Sequence, residues 1–178
     1  MIKKIKFFSI IILFLLTNKS YSLIEVDITR GNLNPLPIAV SPLFADEASN
    51  KELLKEINIK NLGENISLVI ENNLKRTGLF NTLDKNAFLQ NPDIAHLKPR
   101  FEDWKLIKAQ ALITGQIKYD NSKLRVEFRL WDVLAGKEIV ALAFTTVPNN
   151  WRRIGHIISD KIYERLTGEK GYFDTRII

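Results

Sequence analysis

The sequence contains no cysteine. Disulfide bonds, thiol nucleophiles and lipoprotein acylation, which needs a cysteine at the cleavage site, are therefore excluded. The only two histidines, His96 and His156, lie far apart and have no metal-ligand spacing around them. The G-x-S-x-G elbow of serine hydrolases and the glycine-rich phosphate loops are also missing. We therefore predict no catalytic residues, no cofactor and no metal site.

Long hydrophobic runs are scarce as well, and the first 22 residues have the pattern of a secretory signal peptide. Three lysines lie within the first six residues, Phe7–Leu16 is apolar, and Ser20–Ser22 is a small-x-small cleavage sequence. The apolar stretch has ten residues, whereas a spanning helix needs about 20. We predict cleavage between Ser22 and Leu23, and export without a membrane anchor.

The charge of the mature chain argues against nucleic-acid binding. The full sequence has 26 basic and 20 acidic residues, a net charge of +6, but four basic residues lie in the predicted signal peptide. Without them, 22 basic residues face 20 acidic ones and the net charge is +2. The most basic stretch, residues 98–108, is interleaved with Glu102 and Asp103, as is typical of a solvated helix face.

Two apolar patterns follow in the mature chain. Apolar and acidic residues alternate along Leu23–Thr29, which predicts a strand with one buried face. Pro37–Phe44 is a continuous apolar run, which predicts a strand buried on both faces and limited at its end by Pro42.

Helical periodicity marks two later segments. Apolar residues at three- and four-residue steps predict helices over Asn61–Arg76 and Trp151–Thr167. Gly78 and Gly168 follow them, where a left-handed residue commonly ends a helix. His156 borders the apolar face of the second helix, so we predict a structural histidine bonded to the backbone or to Asp160.

Strands then follow in quick succession. Residues 79–83 predict a short strand, and 111–119, 123–133 and 138–147 predict an antiparallel meander with polar turns. The polar segment 45–60 and residues around Trp104 are predicted to be partly helical. The sequence therefore predicts an α/β fold, with a mixed sheet of about five or six strands and two main helices packed on one face.

Residues 151–178, WRRIGHIISDKIYERLTGEKGYFDTRII, carry a specific resemblance. Together with PIAVSP at 37–42, LKRTGLF at 74–80 and ALITG at 111–115, they resemble the TolB family of the bacterial Tol-Pal system. The resemblance covers 23–178 and implies an α/β domain over 23–170, similar in fold to the anticodon-binding domain of class II tRNA synthetases. In that family, residues corresponding to 171–178 lead into a six-bladed β-propeller.

No blade-like repeat of about 40 residues occurs in the sequence, so a propeller is expected to be absent. The chain is then a fragment, a split-gene product or a complete product. The resemblance implies a periplasmic, non-enzymatic adaptor that supports outer-membrane integrity and constriction during cell division. It also implies binding of the TolA periplasmic domain, whereas binding of the Pal lipoprotein and colicins is expected to be lost with the propeller.

The N-terminal segment is the candidate binding element. An exposed edge strand offers unpaired backbone groups that a partner strand can complete. The alternative is that this segment is the first strand of the domain's own sheet. The predicted TolA-binding residues are Leu23, Ile24, Glu25, Val26, Asp27 and Ile28.

The tail beyond Gly168 contains four apolar groups, Tyr172, Phe173, Ile177 and Ile178, which are predicted to be poorly packed or exposed, as an interface with another domain. Two other functions remain open. An exported enzyme would reveal a pocket with carboxylates of shifted pKa, and a small-ligand or lipid-binding domain would reveal a large apolar cavity. The predicted interdomain residues are Tyr172, Phe173, Arg176, Ile177 and Ile178.

Overall fold

The computed structural model describes residues 24–26 and 34–175. Their strands, β1 to β6, are Leu36–Val40, Phe44–Ala45, Phe80–Thr82, Ala111–Asp120, Lys123–Asp132 and Lys137–Thr146. Their helices, α1 to α5, are Glu47–Ile57, Leu62–Arg76, Pro92–Ala95, Phe101–Leu106 and Trp151–Thr167. Short 3-10 turns occupy Lys85–Ala87 and Pro148–Asn150.

The described strands form one mixed, six-stranded sheet. Its order is β3-β1-β4-β5-β6, and β2 pairs with β4. β1 runs parallel to β3 and β4, whereas β4, β5 and β6 form an antiparallel meander. Asn121 and Ser122 join β4 to β5 with φ angles of 49° and 59°, as a tight hairpin turn requires. The predicted mixed sheet and meander are confirmed.

The continuous strand predicted over Pro37–Phe44 is wrong. β1 ends at Val40, and the two-residue strand β2 begins at Phe44. Pro42 has no N–H to donate to a ladder, so the chain breaks there. Ser41 still donates its N–H to the Ile113 carbonyl at 3.0 Å, which keeps the broken strand against β4.

The helices α2 and α5 pack against each other and cover one face of the sheet. Both end as predicted, with Gly78 at φ 72° and Gly168 at φ 76°. Their apolar stripes are buried, except for the partly exposed Trp151 at the start of α5, so the two main helices predicted from periodicity are confirmed. The buried residues of these stripes include Ile66, Ile70 and Leu74 of α2 and Ile154, Ile158 and Ile162 of α5.

The chain between β3 and β4 covers the opposite face of the sheet. Trp104 of α4 is 1% exposed and packs in a second core with Ala39 and Leu112. Its indole Nε1–H donates to Gln90 Oε1 at 3.1 Å, so the ring is fixed in place. Among the described residues, no helix combines the length and apolar character needed to cross a membrane.

The N-terminal strand predicted over Leu23–Thr29 is wrong for Ile24–Val26, which belong to no strand. The backbone N–H of Val26 donates to a helix carbonyl, that of Leu166, and is therefore not available to a sheet ladder. The other residues of that prediction lie outside the described residues.

Candidate functional site

The N-terminal segment, residues 24–26, lies against the C-terminal end of α5. The N–H of Val26 donates to the Leu166 carbonyl at 2.7 Å, and the Val26 side chain is 9% exposed within the main core. The last four carbonyls of a helix have no partner within the helix, so this bond satisfies one of them. Glu25 remains exposed. The segment is thus attached by one described backbone bond, by the buried Val26 side chain and by the partly buried Ile24 side chain.

A groove of about 420 Å³ lies beside this attachment. Glu25, Leu142 of β6, and Lys161 and Arg165 of α5 contribute to its walls. β6 is the last strand of the sheet, and Leu142 is 42% exposed on it. Glu164 of α5 also lines the groove and pairs with Lys161 at 2.9 Å, so Glu25 faces mixed charges on α5 beside an apolar strand edge.

The C-terminal segment, residues 171–174, folds back onto the same helix. The two carboxylate oxygens of Asp160 accept the N–H groups of Phe173 at 2.7 Å and Asp174 at 3.1 Å. A Cβ on Gly171 would overlap the Asp160 Cα, so only glycine permits this approach. We call this arrangement the Asp160 clamp.

A paired guanidinium and a ring contact reinforce the Asp160 clamp. Arg153 Nε donates to Asp174 Oδ1 at 3.0 Å, and its Nη2 donates to Oδ2 at 3.1 Å. Hydrogen bonding to Asp174 raises the pKa of Arg153. The Tyr163 ring meets the rings of Tyr172 and Phe173 edge-on, at centroid distances of 5.6 and 5.9 Å.

A polar cluster connects α2 with α5. Arg76 Nη2 donates to Asn73 Oδ1 at 3.1 Å, which fixes the orientation of the Asn73 amide. Asn73 Nδ2 then donates to Ser159 Oγ at 3.0 Å and to His156 Nδ1 at 2.9 Å. His156 is therefore the Nε2–H tautomer, with Nδ1 as the acceptor. The predicted partner of His156, the backbone or Asp160, is wrong because Asn73 on the neighbouring helix occupies its ring nitrogen.

The surroundings of His156 also disfavour its charged form. Burial at the α2–α5 crossing is the main cause that lowers the pKa of His156, and the charge of Arg152 lowers it further. Asp174 and Asp160 act in the opposite direction but do not outweigh these effects. The neutral imidazole of His156 accepts a hydrogen bond here. Within the described residues, no group of His, Asp and Glu is arranged to hold a metal ion.

The structure describes only part of each predicted site. Ile24, Glu25 and Val26 lie together at the end of α5, whereas Leu23, Asp27 and Ile28 lie outside the described residues. Tyr172 is 53% exposed and Phe173 is partly buried against Tyr163. Other calls also fall outside the described residues: the predicted cleavage position, Ser22 and Leu23, and the tail residues Arg176, Ile177 and Ile178.

Sequence reasoning missed the residues that attach the two ends to α5. Asp160 has the ordinary place of a polar residue on a solvated helix face, and its partners lie 13 and 14 positions later. No local spacing marks such a contact. Gly171, in the segment EKGYFD, was the one available signal, because a glycine outside a turn often marks a close approach of the backbone to another part of the chain.

Comparison with known proteins identifies the relatives of this chain. The TolB amino-terminal domain family matches residues 24–139. The Tol-Pal system protein TolB of Pelagibacter ubique (strain HTCC1062) is 72% identical over 160 residues, which cover 90% of this chain and 36% of the relative. TolB from Acinetobacter baumannii shares the fold, with a TM-score of 0.62 at 23% identity over 85% of this chain and 33% of that structure. The chain therefore spans about a third of the length of the relatives it matches.

Proposed function

This chain belongs to the TolB family, and from that membership we propose that it acts as a non-enzymatic adaptor of the Tol-Pal system in the periplasm. The resemblance recognised in the sequence is confirmed at the level of the family. The proposed role is to support outer-membrane integrity and constriction during division. In the family, the Pal lipoprotein and colicins contact the β-propeller, so we do not assign those contacts to the residues described above.

The proposed partner of the N-terminal segment, residues 23–28, is the periplasmic domain of TolA. The observation that carries this proposal is the small attachment of Ile24–Val26, through one described backbone hydrogen bond and the side chains of Ile24 and Val26. A segment outside the sheet ladder keeps most of its backbone donors and acceptors for a partner strand. For the described residues Ile24–Val26, release from α5 costs only these few contacts, so they are suited to exchange between their own helix and a partner.

Removal of the segment tests the proposal. The affinity of the TolA periplasmic domain is measured by calorimetry for the protein and for a variant that lacks residues 23–28. We expect the deletion to abolish binding, while circular dichroism shows that the domain still folds. Equal affinity for both proteins would contradict the assignment of residues 23–28 as the TolA-binding segment. Tyr172→Ala, which alters an exposed side chain at the other end of the chain, is the control and should bind TolA unchanged.

The Val26 attachment makes a second, finer test possible. Val26→Asp places a carboxylate in the core position that the segment occupies on α5, so it favours the detached segment. If attachment to α5 competes with TolA, Val26→Asp should increase the association rate, whereas Glu169→Gln, which removes an exposed carboxylate outside the predicted TolA-binding segment, should leave it unchanged. A rate that is the same in both variants would argue that attachment does not limit binding.

A further inference from the structure

A second cleft, of about 380 Å³, lies where β1 and β2 end. Its walls come from the loop after β1, from the first turn of α2 and from the start of α3. The volume falls in the lower part of the range of ligand sites, roughly 300 to 1,000 Å³, so it suits a side chain or a small molecule. We call it the β1 cleft.

The chain topology explains why a cleft opens at this position. From β1 the chain passes through α2, on one face of the sheet, to β3 on one side of β1. It then returns through α3 and α4, on the other face, to β4 on the other side of β1. The order of parallel strands thus reverses between β1 and β4. Crevices outside the carboxyl ends of strands at such reversals are the usual ligand sites of open α/β sheets.

The walls of the β1 cleft carry negative charge on both sides. Glu64 contributes a carboxylate from α2 and Asp93 contributes one from α3. Both residues are exposed, and the ion pairs described in the structure involve neither of them. No lysine or arginine is among the described lining residues. The first turns of α2 and α3 also line the cleft, and a helix start is equivalent to about half a positive charge, so it offsets only part of the two carboxylate charges. The cleft therefore keeps a net negative charge and attracts cations.

Amide groups add hydrogen-bonding capacity to the β1 cleft. Asn61 and Asn91 hold the N-cap positions of α2 and α3, yet neither side chain caps its helix. Asn50 donates its Nδ2–H to the Ala45 carbonyl at 3.0 Å, which fixes its orientation and leaves its Oδ1 as an acceptor. The cleft thus offers oxygen acceptors as well as charge to a donor-rich group.

The floor of the β1 cleft has an apolar part. Pro42, Phe44 and Pro92 line it, and the Phe44 ring stacks on His96 at a centroid distance of 4.5 Å with an interplanar angle of 10°. That stack holds the Phe44 ring in place. Lysine and arginine side chains combine a charged head with an apolar stem, and such stems pack along apolar surfaces.

We propose that the β1 cleft binds a lysine or arginine side chain from a basic segment of a partner polypeptide. The cationic head lies between Glu64 and Asp93, and the stem lies against Pro42 and Phe44. This site is distinct from the N-terminal segment, and the proposal does not depend on TolA binding. A saccharide is the competing ligand: its hydroxyls can donate hydrogen bonds to Glu64 and Asp93, but as neutral groups they gain no charge attraction from the two carboxylates.

Short peptides test the charge requirement directly. The purified, ¹⁵N-labelled protein is titrated with acetyl-Ala-Arg-Ala-amide, with the neutral acetyl-Ala-Gln-Ala-amide and with N,N′-diacetylchitobiose. We expect saturable shifts of the amide signals of Gly63, Glu64 and Asp93 with the arginine peptide alone, and weaker binding as salt increases. No saturable shift with this peptide, an equal shift with the neutral peptide, or a shift with the disaccharide alone would each overturn the proposal.

A paired variant locates the binding on the cleft. Glu64→Gln combined with Asp93→Asn preserves size and removes both charges, so the dissociation constant of the arginine peptide should rise about tenfold. Glu52→Gln combined with Glu56→Gln changes two exposed charges of α1 that do not line the β1 cleft, and should leave the constant unchanged. Equal weakening in both variants would mean that net charge, and not the cleft, attracts the peptide.

Discussion

At the scale of single residues, contacts from a neighbouring helix favour the neutral form of His156. Asn73 of α2 donates to its Nδ1, and Arg76 fixes the Asn73 amide that makes this contact. A proton on Nδ1 would remove the acceptor and place a cation close to Arg152. The neutral form of His156 is therefore part of the α2–α5 contact.

Protonation of His156 should destabilise the fold. Its folded pKa lies below the ordinary value of 6.5, so the unfolded state binds more protons in this range and stability rises with pH. The contribution is complete above about 6.5 and is lost as the pH falls through the folded pKa. We expect the urea midpoint to fall between pH 7.5 and 5 in the unmodified protein, as followed by circular dichroism.

His156→Gln keeps an acceptor for Asn73 but cannot titrate in this range. Its urea midpoint should fall less than that of the unmodified protein over the same pH interval. Asn72→Gln changes an exposed, non-titrating residue of α2 next to Asn73, so it serves as the control and should keep the full pH dependence. A His156→Gln variant with the full pH dependence would show that other groups cause it.

Gly171 should prove essential to the Asp160 clamp. Its backbone does not have a positive φ, so alanine is acceptable there except for the overlap with Asp160. Gly171→Ala should break both bonds that Asp160 accepts and cost about 1 to 2 kcal/mol, as expected for bonds to a charged group near the surface. Hydrogen exchange measures the result as a loss of protection at the Phe173 and Asp174 amides.

The neighbouring substitution Lys170→Ala gives the control for the Asp160 clamp. Lys170 is exposed, and alanine there meets no overlap with Asp160. Exchange at Phe173 and Asp174 should stay slow in this variant. Fast exchange at these amides in both variants, or slow exchange in both, would contradict the steric role of Gly171.

At the scale of elements, a close contact determines how α2 and α5 cross. Gly155 lies against Val69, and a Cβ at position 155 would come within 2.8 Å of Val69 Cγ1. Gly155→Ala gains up to about 1 kcal/mol of helix propensity but overpacks the crossing by about 1 to 3 kcal/mol. We expect a net loss of unfolding free energy, measured by urea denaturation.

Val69→Ala makes room for the new methyl group at the crossing. The cost of Gly155→Ala should therefore be smaller in the Val69→Ala background, with a coupling of about 1 kcal/mol between the two positions. Additive losses would show that the helices shift apart to accept the methyl group, so that Val69 is not the obstacle.

Elements with a clear period were predictable from the sequence. The apolar stripes of α2 and α5 and the alternation of β4 to β6 report burial directly, and Gly78 and Gly168 mark the helix ends. Alternation failed at Ile24–Val26 because the apolar side chains there pack on the core at a helix end, without a strand partner for the backbone. Period alone does not identify what covers an apolar residue.

The candidate site was harder to predict than the fold. Family resemblance directed attention to the N-terminal segment, but the Asp160 clamp and the Asn73–His156 contact join residues 13 to 83 positions apart. Each is made by ordinary polar residues whose roles depend on how α2 and α5 cross. The β1 cleft likewise follows from strand order, which no short stretch of sequence specifies.

At the scale of the whole molecule, two cores share the same central strands. Ile38 and Ala39 are neighbours in β1, both fully buried, and face the first and second core respectively. Loss of the layer around Trp104 would expose Ala39 and Leu112 on the central strands. The two cores are therefore expected to unfold together.

Coincident unfolding of the two cores is testable with the native tryptophans. Trp151→Phe leaves Trp104 and Trp131, which both belong to the second core, so fluorescence then reports that face alone. Far-UV circular dichroism reports chiefly the long helices α2 and α5 on the first face. In urea, the two signals should give the same midpoint and the same dependence of the unfolding free energy on urea concentration, as two-state unfolding requires. The unmodified protein, followed by circular dichroism, shows whether the substitution itself is harmless. An earlier fluorescence midpoint would instead mean that the Trp104 layer opens as a separate unit, with Ala39 and Leu112 exposed before α2 and α5 unfold.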